Sequence, residues 1–296
     1  MSSYSIKQLE LISGIKAHTI RMWERRYNLF LPQRTDTNIR RYTESDVRLI
    51  LNITLLLRNG YKISKVAAKS HEEISELILQ IPSTPSLSKE NNLEPLLLSL
   101  LSFDQTTFKS YLINNVTEQG LESTYENLIL PLLNRVGILW QTGMIKPTHE
   151  HFATNIVKHI LISSYEAVKE PKIDAPLFLF FLAEDEYHEL GLLFYAFAAK
   201  KMGFRTIYFG QSTPIDDVIQ TSKEIKPAVI FTSTSSSISK INLADFYKTI
   251  RKSIPNGHLF VTGYKVNQDR FKIPKEISIV SSLESFSGKV KSIKLK

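Results

Sequence analysis

The sequence predicts an α/β multidomain chain: a winged helix-turn-helix, then a four-helix bundle, then a flavodoxin-like, doubly wound parallel sheet. Three observations carry this. Residues 1–70 hold 13 Lys and Arg against 5 Asp and Glu while the remainder holds 24 of each, so the whole net charge of +8 lies in the first quarter. Residues 93–170 repeat their apolar side chains with helical period and contain glycine only at 120, 137 and 143. From Leu177 onward, apolar blocks of strand length alternate with helical patterns, as in a parallel sheet covered on both faces.

In the basic quarter, Ser5 is placed to cap a short helix carrying Ile6, Leu9 and Ile12, which stops at Gly14. A second helix comes next, with Ile20, Trp23 and Tyr27 on one face and His18, Arg21, Met22 and Arg25 on the other. Two short helices joined by a glycine-containing turn, the second basic outside, read as a helix-turn-helix. Residues 32–42 form a polar turn between two extended pieces, a wing whose Arg40, Arg41 and Tyr42 are expected to reach phosphates. Thr43-Glu44-Ser45-Asp46 then caps a third helix through Val47, Ile50, Leu51 and Leu55. Concentrated positive charge on such a scaffold points to nucleic acid as partner.

These residues resemble the MerR family of winged helix-turn-helix regulators. The resemblance lies in Thr19-Ile20-Arg21, in Trp23-Glu24-Arg25-Arg26-Tyr27 and in Arg40-Arg41-Tyr42-Thr43-Glu44-Ser45-Asp46. It implies that residues 1–79 dimerise on a pseudo-palindromic double-stranded DNA operator. The residues set against the DNA would be His18, Thr19, Arg21, Arg25, Arg26, Arg40, Arg41 and Tyr42.

Residues 80–92, rich in Pro, Ser and Asn, read as a linker. The bundle is expected over 93–172, with Leu96, Leu97, Leu100 and Leu101, then Leu128, Leu132, Val136 and Leu139, then Phe152, Ile156, His159 and Ile160. Trp140, one of two tryptophans, stands nine residues before Glu150-His151.

Residues 173–296 form the expected sheet domain. Candidate strands are Leu177–Ala183, 206–209, 228–232, 259–262 and 277–280; candidate helices are 189–202, 215–224, 241–253 and 268–271. Ligands of doubly wound sheets bind beyond the carboxyl ends of the strands. The notable polar residues fall there: His188, the 210–214 segment, the serines of 233–237 and Gly263. Within Glu186-Tyr187-His188-Glu189-Leu190-Gly191, the histidine can present one ring nitrogen to a metal while Glu186 accepts a hydrogen bond from the other. Gly191 leaves room for a bulky ligand.

Trp140 with Glu150-His151, together with Glu186, His188 and Gly191, resembles the cobalamin-binding, light-responsive MerR-type repressors of the CarH/LitR photoreceptor group. The resemblance implies a cofactor, adenosylcobalamin, whose cobalt takes His188 as lower axial ligand, with Glu186 fixing the imidazole tautomer. It further implies that Ser233, Ser235 and Gly263 accommodate the nucleotide tail and that Trp140, Glu150 and His151 cover the upper face and the adenosyl group. Two positions depart from the family pattern. Tyr264 replaces a second glycine and would crowd the tail unless it turns outward. Gln141 stands where much of the family has a histidine that ligates cobalt after photolysis, which puts the light-driven bis-histidine adduct in doubt.

The expectation is therefore a DNA-binding transcriptional repressor, not an enzyme, acting as a homo-oligomer (dimer or tetramer). Two alternatives stay open: a MerR-type regulator whose sensor half no longer binds cobalamin and serves for oligomerisation, and a methyltransferase-type cobalamin module. The chain has no cysteine, which excludes a disulfide framework and thiolate metal sites. Its first residues lack the apolar core of a signal peptide, and the apolar run at 175–183 is too short to span a bilayer, so a cytoplasmic location with no membrane partner is expected.

Overall fold

A computed structural model describes residues 4–35, 37–58, 60–70, 73–74, 76–77, 93–141, 145–235 and 242–292; the expected linker at 80–92 lies outside the described residues. The chain divides into two compact units, Met1–Ile156 and Val157–Lys296.

In the first unit, α1 (Ile6–Ser13) opens on a reciprocal cap: the Ser5 hydroxyl accepts from Gln8 N while the Gln8 side chain accepts from Ser5 N. It closes at Gly14, whose φ of 76° no β-carbon-bearing residue adopts comfortably. The Glu10 carboxylate accepts from Ala17 N at 3.1 Å and so supplies the cap that Lys16 cannot give to α2 (Ala17–Tyr27). Ile20 and Trp23 of α2 are buried, and His18, Arg21, Met22 and Arg25 are exposed, as the period requires. β1 (Gln33–Arg34) and β2 (Arg40–Arg41) pair antiparallel as the wing. Thr43 N donates to Asp46 Oδ2 at 2.7 Å and Asp46 N to Thr43 Oγ1 at 3.2 Å, a second reciprocal cap, which starts α3 (Glu44–Arg58). Val47, Leu49, Ile50, Leu51, Ile53, Leu55 and Leu56 of α3 are all buried. A helix apolar on more than one face must be covered on more than one side, and α3 packs on α1 and on α5 (Glu94–Leu101). Between them in the chain lies the short α4 (Ile63–Val66).

The four expected bundle helices are α5, α6 (Gln105–Thr124), α7 (Leu130–Gln141) and α8 (Pro147–Glu166). Gly120, at φ 82° and ψ 158°, breaks the helical path of α6, and one π-helical turn, Tyr125–Ile129, leads into α7. Phe152 on α8 meets Phe103 and Phe108 edge-on, both with centroids 5.5 Å away.

The second unit begins within α8 and continues as β3 (Leu177–Ala183), α9 (Leu190–Lys201), β4 (Arg205–Thr213), α10 (Ile215–Ile225), β5 (Val229–Ser233), α11 (Leu243–Ser253), β6 (His258–Thr262), α12 (Tyr264–Gln268), β7 (Ser278–Ile279) and α13 (Leu283–Ser292). The five strands are parallel in the order β4-β3-β5-β6-β7, the flavodoxin-like order. Six of the seven β3 residues are buried because helices cover both faces, which is why the strand reads as an unbroken apolar run. Phe178, Phe180, Phe231 and Phe260 pack one face together with Phe286 of α13. Leu179, Phe181, Ile230 and Val261 pack the other with Tyr247 and Ile250 of α11. The chain runs from β3 outward to β4, then returns past it to β5, so the strand order reverses beside the carboxyl end of β3. Two helical details differ from expectation. The helix expected at 268–271 is instead α12 followed by a 3-10 turn at Arg270–Lys272, and α13 lies outside the expected helices.

Candidate functional site

The loop leaving β3 is built around Glu186, which is only 2% exposed. Its Oε1 accepts from Tyr187 N and His188 N, each at 3.1 Å, and meets His188 Nδ1 at 2.6 Å. Its Oε2 accepts from Ser235 N at 2.8 Å, tying the loop to the end of β5. A carboxylate on Nδ1 places the ring proton there and leaves the lone pair on Nε2, the tautomer required of a metal ligand. The His188 side chain is 65% exposed, so the ring is offered outward from a fixed base. Asp185 enters the loop at φ 62°, and Ser212 N donates to Glu186 O at 3.2 Å, bringing the ends of β3 and β4 together under the same loop.

A second carboxylate in this loop carries no signal in the sequence. Glu189, 7% exposed, pairs with Lys158 Nζ and accepts from Tyr208 OH at 3.0 Å and Gln211 Nε2 at 2.7 Å. Gln211 Nε2 also donates to Tyr187 O at 2.9 Å. Burial and Glu189 together push the Tyr208 phenol well above its ordinary value. Nothing in the local spacing marks Glu189, because its partners lie on α8 and β4.

The other expected residues of this unit take different parts. Gly191 is the second residue of α9 and its φ is not in the left-handed region, so the backbone does not demand glycine there. Ser233 is buried, and the half-buried Ser235 commits its N–H to Glu186. The clearance expected at Gly263 is taken up by the chain itself. At φ 115°, a β-carbon there would lie 2.3 Å from Thr234 O, so glycine is required by this close approach alone. Tyr264 is 67% exposed, the outward placement on which tail accommodation depends.

In the first unit, Trp140 is the penultimate residue of α7 and is 47% exposed, a large apolar surface left uncovered. Glu150 and His151 stand in the first turns of α8, with Glu150 Oε2 3.3 Å from His151 Nδ1. The neighbouring His149 accepts from Lys146 N at 3.2 Å and stacks on Phe103 with centroids 4.3 Å apart. The Gln141 side chain lies outside the described residues.

The basic face is carried by α2. His18, Arg21, Arg25 and Arg26 are exposed and Thr19 is half-buried at its start. Tyr42, expected to reach phosphate, does not. Its main chain exchanges hydrogen bonds with Tyr4 at 2.8 Å, its ring is fully buried edge-on to Phe30, and its hydroxyl donates to Glu24 Oε2 at 3.3 Å. The isolated antiparallel bridge with Tyr4 turns this side chain inward. Arg40 Nε lies 3.0 Å from both Glu24 oxygens, which makes it a brace between wing and helix; the half-buried Arg41 takes no part in that contact.

Residues 4–72 match the MerR HTH family regulatory protein model, and residues 93–162 match the B12 binding domain model. The chain is 25% identical over 260 residues to the HTH-type transcriptional repressor CarH of Myxococcus xanthus, covering 86% of each. It is 24% identical over 227 residues to the repressor CarA of the same organism, covering 76% of this chain and 74% of that one. Among solved structures, the monomethylamine corrinoid protein of Methanosarcina barkeri shares the fold at a TM-score of 0.54 and 15% identity, over 67% of this chain and 96% of that one. Among the described residues, no helix is long and apolar enough to cross a membrane.

Proposed function

We propose that this chain, in which a MerR-type helix-turn-helix precedes a B12 binding domain and a parallel α/β unit, is a transcriptional repressor that senses adenosylcobalamin through His188 and binds operator DNA through α2 and the wing. The observation that carries the reading is the Glu186–His188 pair at 2.6 Å. A single outward imidazole, its Nδ1 held by a buried carboxylate, suits a metal that brings its own equatorial donors. That carboxylate also holds two loop amides and the Ser235 amide, so the donor nitrogen is fixed before any ligand arrives. Bound there, cobalamin would supply a light-sensitive cobalt–carbon bond.

The protein's own contribution is to hold, orient and cover. His188 would hold the cobalt through Nε2. Tyr264, turned outward, does not crowd a nucleotide tail, and half-buried Ser235 is the serine of this loop left within reach of one. Trp140 would offer an apolar plate, and Glu150 and His151 two polar groups, to an adenosyl group. Exposed Arg21, Arg25 and Arg26 on α2 read the operator, with Arg41 on its phosphates. Self-association of the sensor half brings two basic domains onto a two-fold operator.

The absorption spectrum of the purified protein mixed in the dark with adenosylcobalamin tests the site. A histidine-ligated spectrum in the wild type, lost in His188→Ala, is expected. The same spectrum and affinity in both proteins would remove His188 from the site.

A further inference from the structure

The two residues flanking His188 are gripped by one side chain. Gln211 Nε2, from β4, donates to Tyr187 O at 2.9 Å and to Glu189 Oε1 at 2.7 Å, so the imidazole stands between two anchored neighbours. Glu189 occupies the N-cap position of α9, yet its carboxylate makes no cap hydrogen bond. It turns instead to Gln211, to Tyr208 and to Lys158. A nearly buried carboxylate that forgoes the local cap needs other donors to offset its desolvation, and here they come from two separate elements.

Lys158 lies on α8, the helix whose first turns carry Glu150 and His151. Seven residues further along the same face, Tyr165 OH lies 2.7 Å from Thr206 Oγ1 of β4. The Lys158–Glu189 pair is thus the point at which the seam between α8 and the α/β unit reaches the histidine loop. Glu186 fixes the loop toward β5 and Glu189 fixes it toward β4 and α8, so the loop is clamped on both sides.

We propose that Glu189 is the positioning residue for the His188 imidazole, with Lys158 and Gln211 as its anchors, so that α8 sets how squarely the axial nitrogen is presented. This rests on the reading of His188 as an axial ligand. Glu189 is nearly buried among Lys158, Tyr208 and Gln211 and acts on His188 through the loop backbone. A displacement of α8 loosens the loop through Lys158, and a firmly held loop in turn restrains α8.

The test uses full-length protein and the variants Lys158→Met, Glu189→Gln and Gln211→Ala, with two readouts. In the cobalamin-free state, hydrogen exchange of the 184–190 peptide should quicken by about tenfold in Lys158→Met and Glu189→Gln, while peptides from β5 and β6 keep their wild-type rates. With cobalamin added, the histidine-ligated fraction of the spectrum should fall in the same variants, and Lys158→Met combined with Glu189→Gln should be no worse than either alone. Gln211→Ala, a change at an exposed side chain, gives the same pattern if the buried substitution should fail to fold. Wild-type loop exchange and an undiminished histidine-ligated fraction in all three variants would overturn the proposal. If the wild type itself never shows a histidine-ligated spectrum, the axial reading of His188 falls, and the exchange measurement still decides whether Glu189 clamps the loop.

Discussion

Arg40 on the wing and Glu24 on α2 share a bifurcated hydrogen bond, with Arg40 Nε 3.0 Å from both carboxylate oxygens, and the Tyr42 hydroxyl closes on the same carboxylate. Two adjacent arginines in the wing therefore do different work. Arg40 holds the hairpin against α2, and in the proposed operator complex Arg41 is the wing arginine left to meet phosphates. Each direct phosphate contact contributes roughly 0.9 to the slope of log affinity against log salt. Arg41→Ala should flatten that slope by about this amount. Arg40→Ala should leave the slope nearer the wild-type value while weakening binding. It should also cost roughly 1–3 kcal/mol of stability, because the largely buried Glu24 loses its nearer charged partner and keeps only Arg34 at 3.9 Å. Salt titrations of operator binding, read beside denaturant unfolding, separate the two. Equal slopes and equal stability in the two variants would contradict the division of roles.

Tyr42 illustrates what the sequence concealed. It sits in an Arg-Arg-Tyr run that reads as a basic wing, and only the bridge to Tyr4, 38 positions away in the chain, turns it into the core. Local signals were legible where local physics decides: the caps at Ser5 and Thr43, the two faces of α2, and the apolar block of β3. The Glu186–His188 pairing was legible for the same reason, since two positions along a loop suffice to bring a carboxylate to an imidazole. The features that escaped depend on distant partners. Glu189 acquires its role from Lys158, Tyr208 and Gln211. Gly263 reads as ligand clearance but is required by the Thr234 backbone. In α13 only Phe286 and Val290 are buried, among serines, lysines and a glycine, so the sheet and not the local pattern secures that helix.

Burial gives a pH dependence with a definite sign. Tyr42 and Tyr247 are fully buried; burial first, with nearby carboxylates adding, pushes both phenols above the ordinary tyrosine value. Burial, with Glu94 and Glu118, pushes Tyr111 up to about 12. A raised folded-state value means the folded chain keeps its proton where the unfolded chain has lost it. Stability is therefore fully retained below about pH 10 and falls as pH rises from there through the folded values, by at most about 1.4 kcal/mol per pH unit for each such group. Urea midpoints at pH 9 and pH 11 should show the loss, and Tyr247→Phe should reduce it. A flat profile across that range would contradict the burial argument.

Arg135 of α7 donates from Nη2 to the Ile12 carbonyl of α1 at 2.7 Å, joining the bundle to the helix-turn-helix across 123 positions of sequence. The bond satisfies a carbonyl in the last turn of α1 with a charged donor, and such bonds contribute about 1.5–3 kcal/mol. Arg135→Ala should lower the stability of the first unit by this order, and exchange of the amides of α1 should quicken. Because Trp140 lies further along the same helix, the variant should also narrow the difference in operator affinity between cobalamin-free and cobalamin-bound protein. An unaltered affinity difference would show that α7 does not carry the signal to α1.

Light is where the residues of this chain part most clearly from the family it resembles. Illumination removes the upper ligand of adenosylcobalamin whatever the protein, so the fate of the cofactor depends on whether a side chain can take the vacated position. The residue after Trp140 is Gln141, whose amide is a poor cobalt ligand. Two histidines stand close by in sequence, and the structure distinguishes them. His149 accepts from Lys146 N and is stacked on Phe103, so recruiting it would uncap the start of α8 and break an aromatic contact. His151 is 69% exposed on its side chain and pairs with its neighbour Glu150, so its recruitment costs less. In the proposed site, without such recruitment, only His188 and the surrounding contacts would hold cobalamin after illumination, and it should wash out on gel filtration. Gln141→His should retain it. Comparing wild type, Gln141→His, His149→Ala and His151→Ala before and after illumination decides the matter. Retention by the wild type that disappears in His151→Ala would assign the role to His151, and retention that disappears only in His149→Ala would contradict the structural ranking of the two.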